Sequence, residues 1–252
     1  MEKRLGYIEK GDIRTAFMQL WRLAIVAVFV NLLIDGQLSW FDAVILIAVH
    51  WVLYLLGLEV GYHKLLAHKS FKTSKVIRNI LVFIGTLLSH PPVLNWIDVH
   101  RIHHSNSDKP GDPHSPWVPK TGICKYLFIR LPRLKNSYEF YNDSTMLWFE
   151  HQPHLIWAMT IILTLVFGLK TMLIWFALPS LISPYCLGLA NYYTHQGKYN
   201  GYDHARNWYW IEVLAPGMGF HGNHHDTPGS WTLAKKYWWA DISSIVVKLI
   251  KR

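Results

Sequence analysis

The residues here best suited to chemistry are histidines, and they come in three groups. His63 and His68 lie in GYHKLLAHKS, His100, His103 and His104 in DVHRIHHSN, and His221, His224 and His225 in FHGNHHDTP. The second and third groups share the spacing i, i+3, i+4, which places all three rings on one face of a helix. Three imidazoles on one face cover a metal from one side. Two such faces, with the first pair, suffice to enclose two metals. The first pair is spaced i, i+5, which on an α-helix sets the rings about 140° apart. Both then reach the centre only if the helix bends or the pair straddles the metals. A ninth histidine, His195, ends an apolar run, and Asn191 lies four residues before it on the same face. An amide oxygen is a weak ligand, so Asn191 is expected to act through water. Eight imidazoles gathered without metal would repel on protonation and leave buried donors unpaired. Taken singly, His50, His90, His151, His154 and His204 read as interfacial packing.

The donor set limits the metal. The two cysteines, Cys124 and Cys186, form no CxxC pair, zinc knuckle or disulfide framework. Nitrogen and oxygen must therefore hold any ion. Imidazoles without thiolate suit Fe, Zn, Cu or Ni. Structural zinc stops at four ligands, so twice that number implies two ions. A redox task at a membrane surface favours iron. GxGxxG is absent, so no nicotinamide or flavin site of the chain's own is expected.

The elements that position these groups read as membrane spans and their cytoplasmic connections. Charged residues make up only 16% of the 252, and Trp and Tyr number 13 each, a composition suited to a bilayer and its interfaces. Apolar runs of the length a bilayer needs occupy about 17–34, 41–60, 155–169 and 172–193. The short loops DGQLSW and GLKT pair them into two hairpins. Of the 25 Lys and Arg residues, all but Lys170 fall outside these loops and on one side. The positive-inside rule makes that side cytoplasmic, with both termini. The expectation is one all-α integral membrane domain, its four spans capped by cytoplasmic segments 61–154 and 194–252 that carry the metal site. The run Val76 to Leu88 is short for a span and reads as a buried or interfacial helix. Ser105 to Lys120 reads as an ordered loop. The N-terminal stretch is long, charged and partly acidic, unlike a signal peptide. The net charge of +9 lies beside apolar spans, which argues for a membrane surface rather than nucleic acid as partner.

With two transmembrane hairpins, the pattern HisxxxxHis, HisxxHisHis, HisxxHisHis resembles the membrane fatty acyl desaturases. HRIHH, the following SDKPGDPHSP, the Asn191–His195 pair and GFHGNHHDTPGS are similar to the delta-9 acyl-CoA and acyl-lipid branch, and the likeness covers about residues 40–245. The resemblance implies that His63, His68, His100, His103, His104, His195, His221, His224 and His225 bind two iron ions and that Asn191 holds a metal-bound water. Asp98 would orient a ligand ring or serve a helix-surface or capping role, Arg101 would face an acyl headgroup, and Asp112 and His114 would organise the loop after the second group. The implied reaction uses O2 and two external electrons to set a cis double bond, at position 9, in a saturated chain carried on CoA, carrier protein or glycerolipid. No haem domain or His-Pro-Gly-Gly motif is present, so a separate ferredoxin or cytochrome b5 type donor is implied. Val52, Leu55, Leu56 and Leu58, on the inner face of the second span, would set chain length. His50 lies about 20 Å from His63 along that helix, too far to ligate. The stretch VPKTGICKYLFIR departs from the family pattern. A hydroxylase or acetylenase on the same scaffold shares the first hydrogen abstraction. A metal transporter is the distant alternative, but only His50 and Glu59 lie inside the spans. The lack of an ER retrieval ending and of an appended domain points to a bacterial inner membrane, with the ER membrane as the alternative.

Overall fold

The computed structural model describes residues 13–117, 136–152, 154–196 and 204–252, which contain helices and turns but no strand. The first twelve residues, Cys124 and the stretch VPKTGICKYLFIR lie outside the described residues.

Helix α1 (Ile13–Ile34) exposes Leu20, Leu23 and Leu33 on one side and buries Trp21, Ile25 and Leu32 on the other. The second long helix, α2 (Trp40–Ala67), starts at a capping box. The Ser39 hydroxyl accepts from the Asp42 amide at 3.3 Å, and the Asp42 carboxylate accepts from the Ser39 amide at 2.8 Å. From Tyr54 to Ala67 the winding changes to π-helical i→i+5 bonding, closed by the His68 amide on the His63 carbonyl at 3.0 Å. The span expected to end near residue 60 thus continues seven residues further, into the histidine region.

Helix α3 (Lys75–Leu87) is the short run expected beside the membrane, N-capped by Ser74. It packs antiparallel on the wide part of α2, Gly85 against Gly57 and Leu81 against Gly61. A Cβ on Gly57 would lie 2.6 Å from the Gly85 amide nitrogen, so glycines are required at this contact. Helix α4 (Val93–Ser105) carries the second histidine group, and α5 (Ser144–Glu150) starts at an Asp143 cap. Helix α6 (Leu155–Phe167) is followed by Gly168, whose φ of +82° breaks the chain into α7 (Leu169–Thr194). Helix α8 (His221–Asp226) carries the third group, and α9 (Ile242–Ile250) closes the described chain.

Ala16–Ile34, Trp40–Ala67 and Leu169–Thr194 are long and apolar enough to cross a membrane. The fourth expected span, α6, has 13 residues, a length of about 20 Å against a hydrocarbon core of about 30 Å. Two apolar cores result. One joins α1, α6 and α7 through Trp21, Ile156, Leu173 and Phe176. The other underlies the histidines and includes Tyr54, Tyr62, Val82, Trp96 and Met146.

Candidate metal centre

The described structure brings all nine expected histidines together in two groups. His63, His68, His100, His104 and His224 form one, and His103, His195, His221 and His225 the other. Within each group the candidate ligand nitrogens all lie within 4.8 Å of one another. Helix α4 supplies both groups, because i and i+4 (His100, His104) point one way and His103 the other. Helix α8 divides likewise, with His224 in the first group and His221 and His225 in the second.

The first pair does not straddle the centre. His63 and His68 both join the five-histidine group, their ring centroids 4.9 Å apart. The 140° expected from an α-helix does not apply, because i→i+5 bonding brings residues five apart onto nearly one face.

The spacing of the nitrogens suits metal. His63 Nε2 and His224 Nε2 are 2.9 Å apart, His68 and His100 2.7 Å, and His224 and His104 2.9 Å. In the second group His195 and His221 are 3.0 Å apart, and His225 and His221 3.1 Å. Imidazole nitrogens about 2.1 Å from one ion and at right angles to it would lie about 3.0 Å from each other. The Nε2 atom of His103 is buried with no hydrogen-bond partner while its Nδ1 is held, which leaves a lone pair free for an ion.

Carboxylates hold the outer nitrogens. Glu59 Oε2 lies 2.7 Å from His63 Nδ1, Asp108 Oδ2 2.9 Å from His195 Nδ1, and Asp112 Oδ2 2.9 Å from His103 Nδ1. Each fixes the tautomer that leaves Nε2 aprotic. Asp112 also accepts from the amides of Asp108 and His114, so it organises its loop as expected while orienting a ring. Burial alone would raise the Asp112 carboxyl; the His103 ring and these amides outweigh it and hold the group at about 2. Burial pushes His68 down to about 3, with Arg101 adding to the shift. Burial and neighbouring rings depress His100, His104, His221, His224 and His225 as well. These imidazoles are therefore neutral near pH 7, the form that binds metal.

Beside the rings is a small cavity lined by Tyr54, Leu58, Glu59, Leu187, Asn191 and Met218, with His63, Trp96, His100 and His114. Asn191 thus sits in the wall next to two of the rings. Of the four residues expected to set chain length, only Leu58 lines this cavity. Val52 is 48% exposed, and Leu55 and Leu56 pack into or against the core. The wide winding accounts for the difference, since it aligns Tyr54 with Glu59, and Leu58 with His63.

Two further expectations are corrected. Asp98 does not orient a ring; it is buried against the backbone amides of Asn136 and Ser137. Two residues along a helix is about 200° of turn, so it faces away from His100. Arg101 does not face a headgroup. Its guanidinium donates to the carbonyls of Leu66 and Ala67, both at 2.9 Å, and to the Glu139 carboxylate at 2.8 Å. Sequence reasoning missed Glu59 and Asp108 as partners of ring nitrogens. Glu59 was visible as the acid four residues before His63; Asp108 was not, since 87 residues separate it from His195.

Among the described residues, helices without strands, membrane-length spans and two largely buried histidine groups define a membrane protein able to hold metal ions. Residues 38–240 match the Fatty acid desaturase family, and the chain belongs to that family. It is similar to an sn-1 stearoyl-lipid 9-desaturase of Anabaena variabilis, 29% identical over 86% of this chain and 84% of the relative. It also resembles a Delta-9 acyl-lipid desaturase 1 of Arabidopsis thaliana, 28% identical over 78% of this chain and 68% of the relative. A hex-5-enoyl-[acyl-carrier protein] acetylenase of Moorena producens is 26% identical over 92% of this chain and 77% of the relative. The protein is an oxidoreductase of fatty acyl desaturation, with its likeness in the delta-9 branch.

Proposed function

We propose that this chain is an O2-dependent desaturase that holds two iron ions and sets a cis double bond at position 9 of a saturated acyl chain. The observation that carries the reading is the pair of neighbouring histidine groups, five rings and four, with nitrogens at ligand spacing. The nine histidines would hold the two ions, with Asn191 beside them as a site for water. When bound, reduced iron with O2 supplies the oxidant needed to break an unactivated C–H bond. The balance is one CH2–CH2 unit, one O2, two electrons and two protons in, and one CH=CH unit and two waters out. The electrons come from a separate ferredoxin or cytochrome b5 type protein.

The chain's own residues prepare this chemistry. Glu59, Asp108 and Asp112 aim ring nitrogens inward. Tyr54, Leu58, Leu187 and Met218 offer an apolar wall against which one pair of carbons is placed near the rings. The four apolar helices cross the membrane as two hairpins, α6 being the short one, with both termini and the histidines on the cytoplasmic side. The lipid or carrier headgroup then lies on that side.

The test is the fatty acid methyl ester profile, by gas chromatography–mass spectrometry, of a desaturase-null host expressing the chain or its His104→Ala variant. A new 9-monounsaturated acid, absent from the variant, is the expected result. The acetylenase relative supports a second reading, in which an existing double bond is oxidised further. An alkyne product from a monounsaturated feed would establish it, and a hydroxy acid would move the assignment to a hydroxylase.

A further inference from the structure

The five-histidine group closes where α2 meets α8, at the His63–His224 contact of 2.9 Å. Helix α8 has six residues, and so short a helix is not held in place by its own hydrogen bonds. A continuous polar chain ties it to α2. Lys64 follows His63 directly and is fully buried, and its ammonium donates to Asp241 Oδ2 at 2.8 Å and to the Trp231 carbonyl at 3.2 Å. The same carboxylate oxygen accepts from the Leu233 amide at 2.9 Å. The Leu233 carbonyl accepts from Asn223 Nδ2 at 2.8 Å. Asn223 lies between His221 and His224, and is held from its other side by Asn207, at 2.9 Å to its backbone amide and 3.0 Å to its Oδ1. Asp241 also caps α9 through Ser243 and Ser244.

A buried ion pair is a poor source of stability, because desolvation cancels much of its attraction. What this pair supplies is direction. The need for it differs between the two groups. Among the described residues, the four-histidine group has two carboxylates on its rings, Asp108 and Asp112, whereas the five-histidine group has Glu59 alone.

We propose that Lys64, Asp241 and Asn223 are positioning residues that set His224 against His63 and so fix the ion of the five-histidine group. This rests on the two-ion reading above. The test is iron retention by the purified, iron-loaded full chain in detergent, titrated with a chelator, for wild type, Lys64→Met and Asn223→Ala. In each variant one ion of the two should leave at about 10- to 100-fold lower chelator, the scale for losing groups that orient metal ligands, while the other is released as in wild type. A role in stability alone would release both ions together with unfolding followed by circular dichroism, and that outcome overturns the proposal. Asn223→Ala leaves no unpaired charge and decides the matter if Lys64→Met does not fold. A wild-type chain that never holds two ions overturns the two-ion reading and the proposal together. Two ions in wild type, released identically from Asn223→Ala, overturn the positioning role alone.

Discussion

The two halves of α2 are both fourteen residues long and almost equally free of charge, yet they do different things. In Trp40–Leu53 only His50 is buried; in Tyr54–Ala67 all but Leu56 are. The first half faces outward with ordinary winding. The second is enclosed by α3, α4 and the C-terminal segment and is wound i→i+5. Such winding has poorer intrinsic stability and survives where surrounding contacts impose it, often at functional sites. Here it aligns two stripes, Tyr54–Glu59–Lys64 and Leu58–His63–His68, and each stripe includes groups that aim at, hold or line the histidine centre. A single helix thus changes from a membrane span to a ligand scaffold by changing its winding.

The steepest test of this contrast is pH. The unfolded chain takes up protons on histidine below about pH 6.5. The folded chain does not, because burial pushes His68 down to about 3 and depresses His100, His221, His224 and His225 too. The histidines' contribution to the stability of the metal-free protein is therefore whole above about pH 6.5 and is lost as pH drops towards 3. The slope is about 1.4 kcal/mol per pH unit for each such histidine. Melting temperatures of the metal-free protein between pH 8 and 5 check this, and a flat profile would break the contrast. Next in size is Gly57→Val, which drives a side chain into the Gly85 backbone and should cost about 3 kcal/mol. Val52→Ala, on the exposed half, should stay within about 0.5 kcal/mol of wild type. Thermal unfolding in detergent compares the two directly.

What could be read in the sequence follows the same boundary. The i, i+3, i+4 triplets predict helices, and α4 and α8 are helical, but each triplet divides between the two histidine groups instead of covering one metal from one side. Apolar length predicts a span from about 41, and α2 starts at Trp40 behind a cap that sequence reasoning missed. The winding of Tyr54–Ala67 is not legible, because no residue pattern encodes i→i+5 bonding; packing against Gly85 and Leu81 of α3 accompanies it. That gap left open whether the helix bends or His63 and His68 straddle the metals, and it put Val52, Leu55 and Leu56 beside Leu58, which alone of the four lines the cavity. Long-range partners were equally hidden. Asp108 reaches His195, and Asp241 reaches Lys64 across 177 residues, by tertiary packing alone. Asp98 was misjudged for a simpler reason, since its place two residues before His100 already turned it away.

Two smaller effects sharpen the contrast. Leu58→Trp fills the cavity beside the rings and should lower turnover of the longest accepted chain about tenfold relative to shorter ones, the scale of one methylene in an apolar pocket. Val52→Trp should leave the product profile unchanged, and a shift there instead would return the chain wall to the exposed half. The smallest effect concerns how the wide winding ends. The last carbonyls of any helix lack intrahelical partners, and a π-helix leaves one more than an α-helix. Arg101 accepts this task, its fork placed on the carbonyls of Leu66 and Ala67 at 2.9 Å. Lysine keeps the charge but presents a point donor in place of the fork. Arg101→Lys should therefore cost about 1 kcal/mol, the loss of one of its two bonds to these carbonyls. If the variant melts with wild type, the winding ends without Arg101, and its termination falls to the His68 amide on His63, a bond the backbone makes unaided.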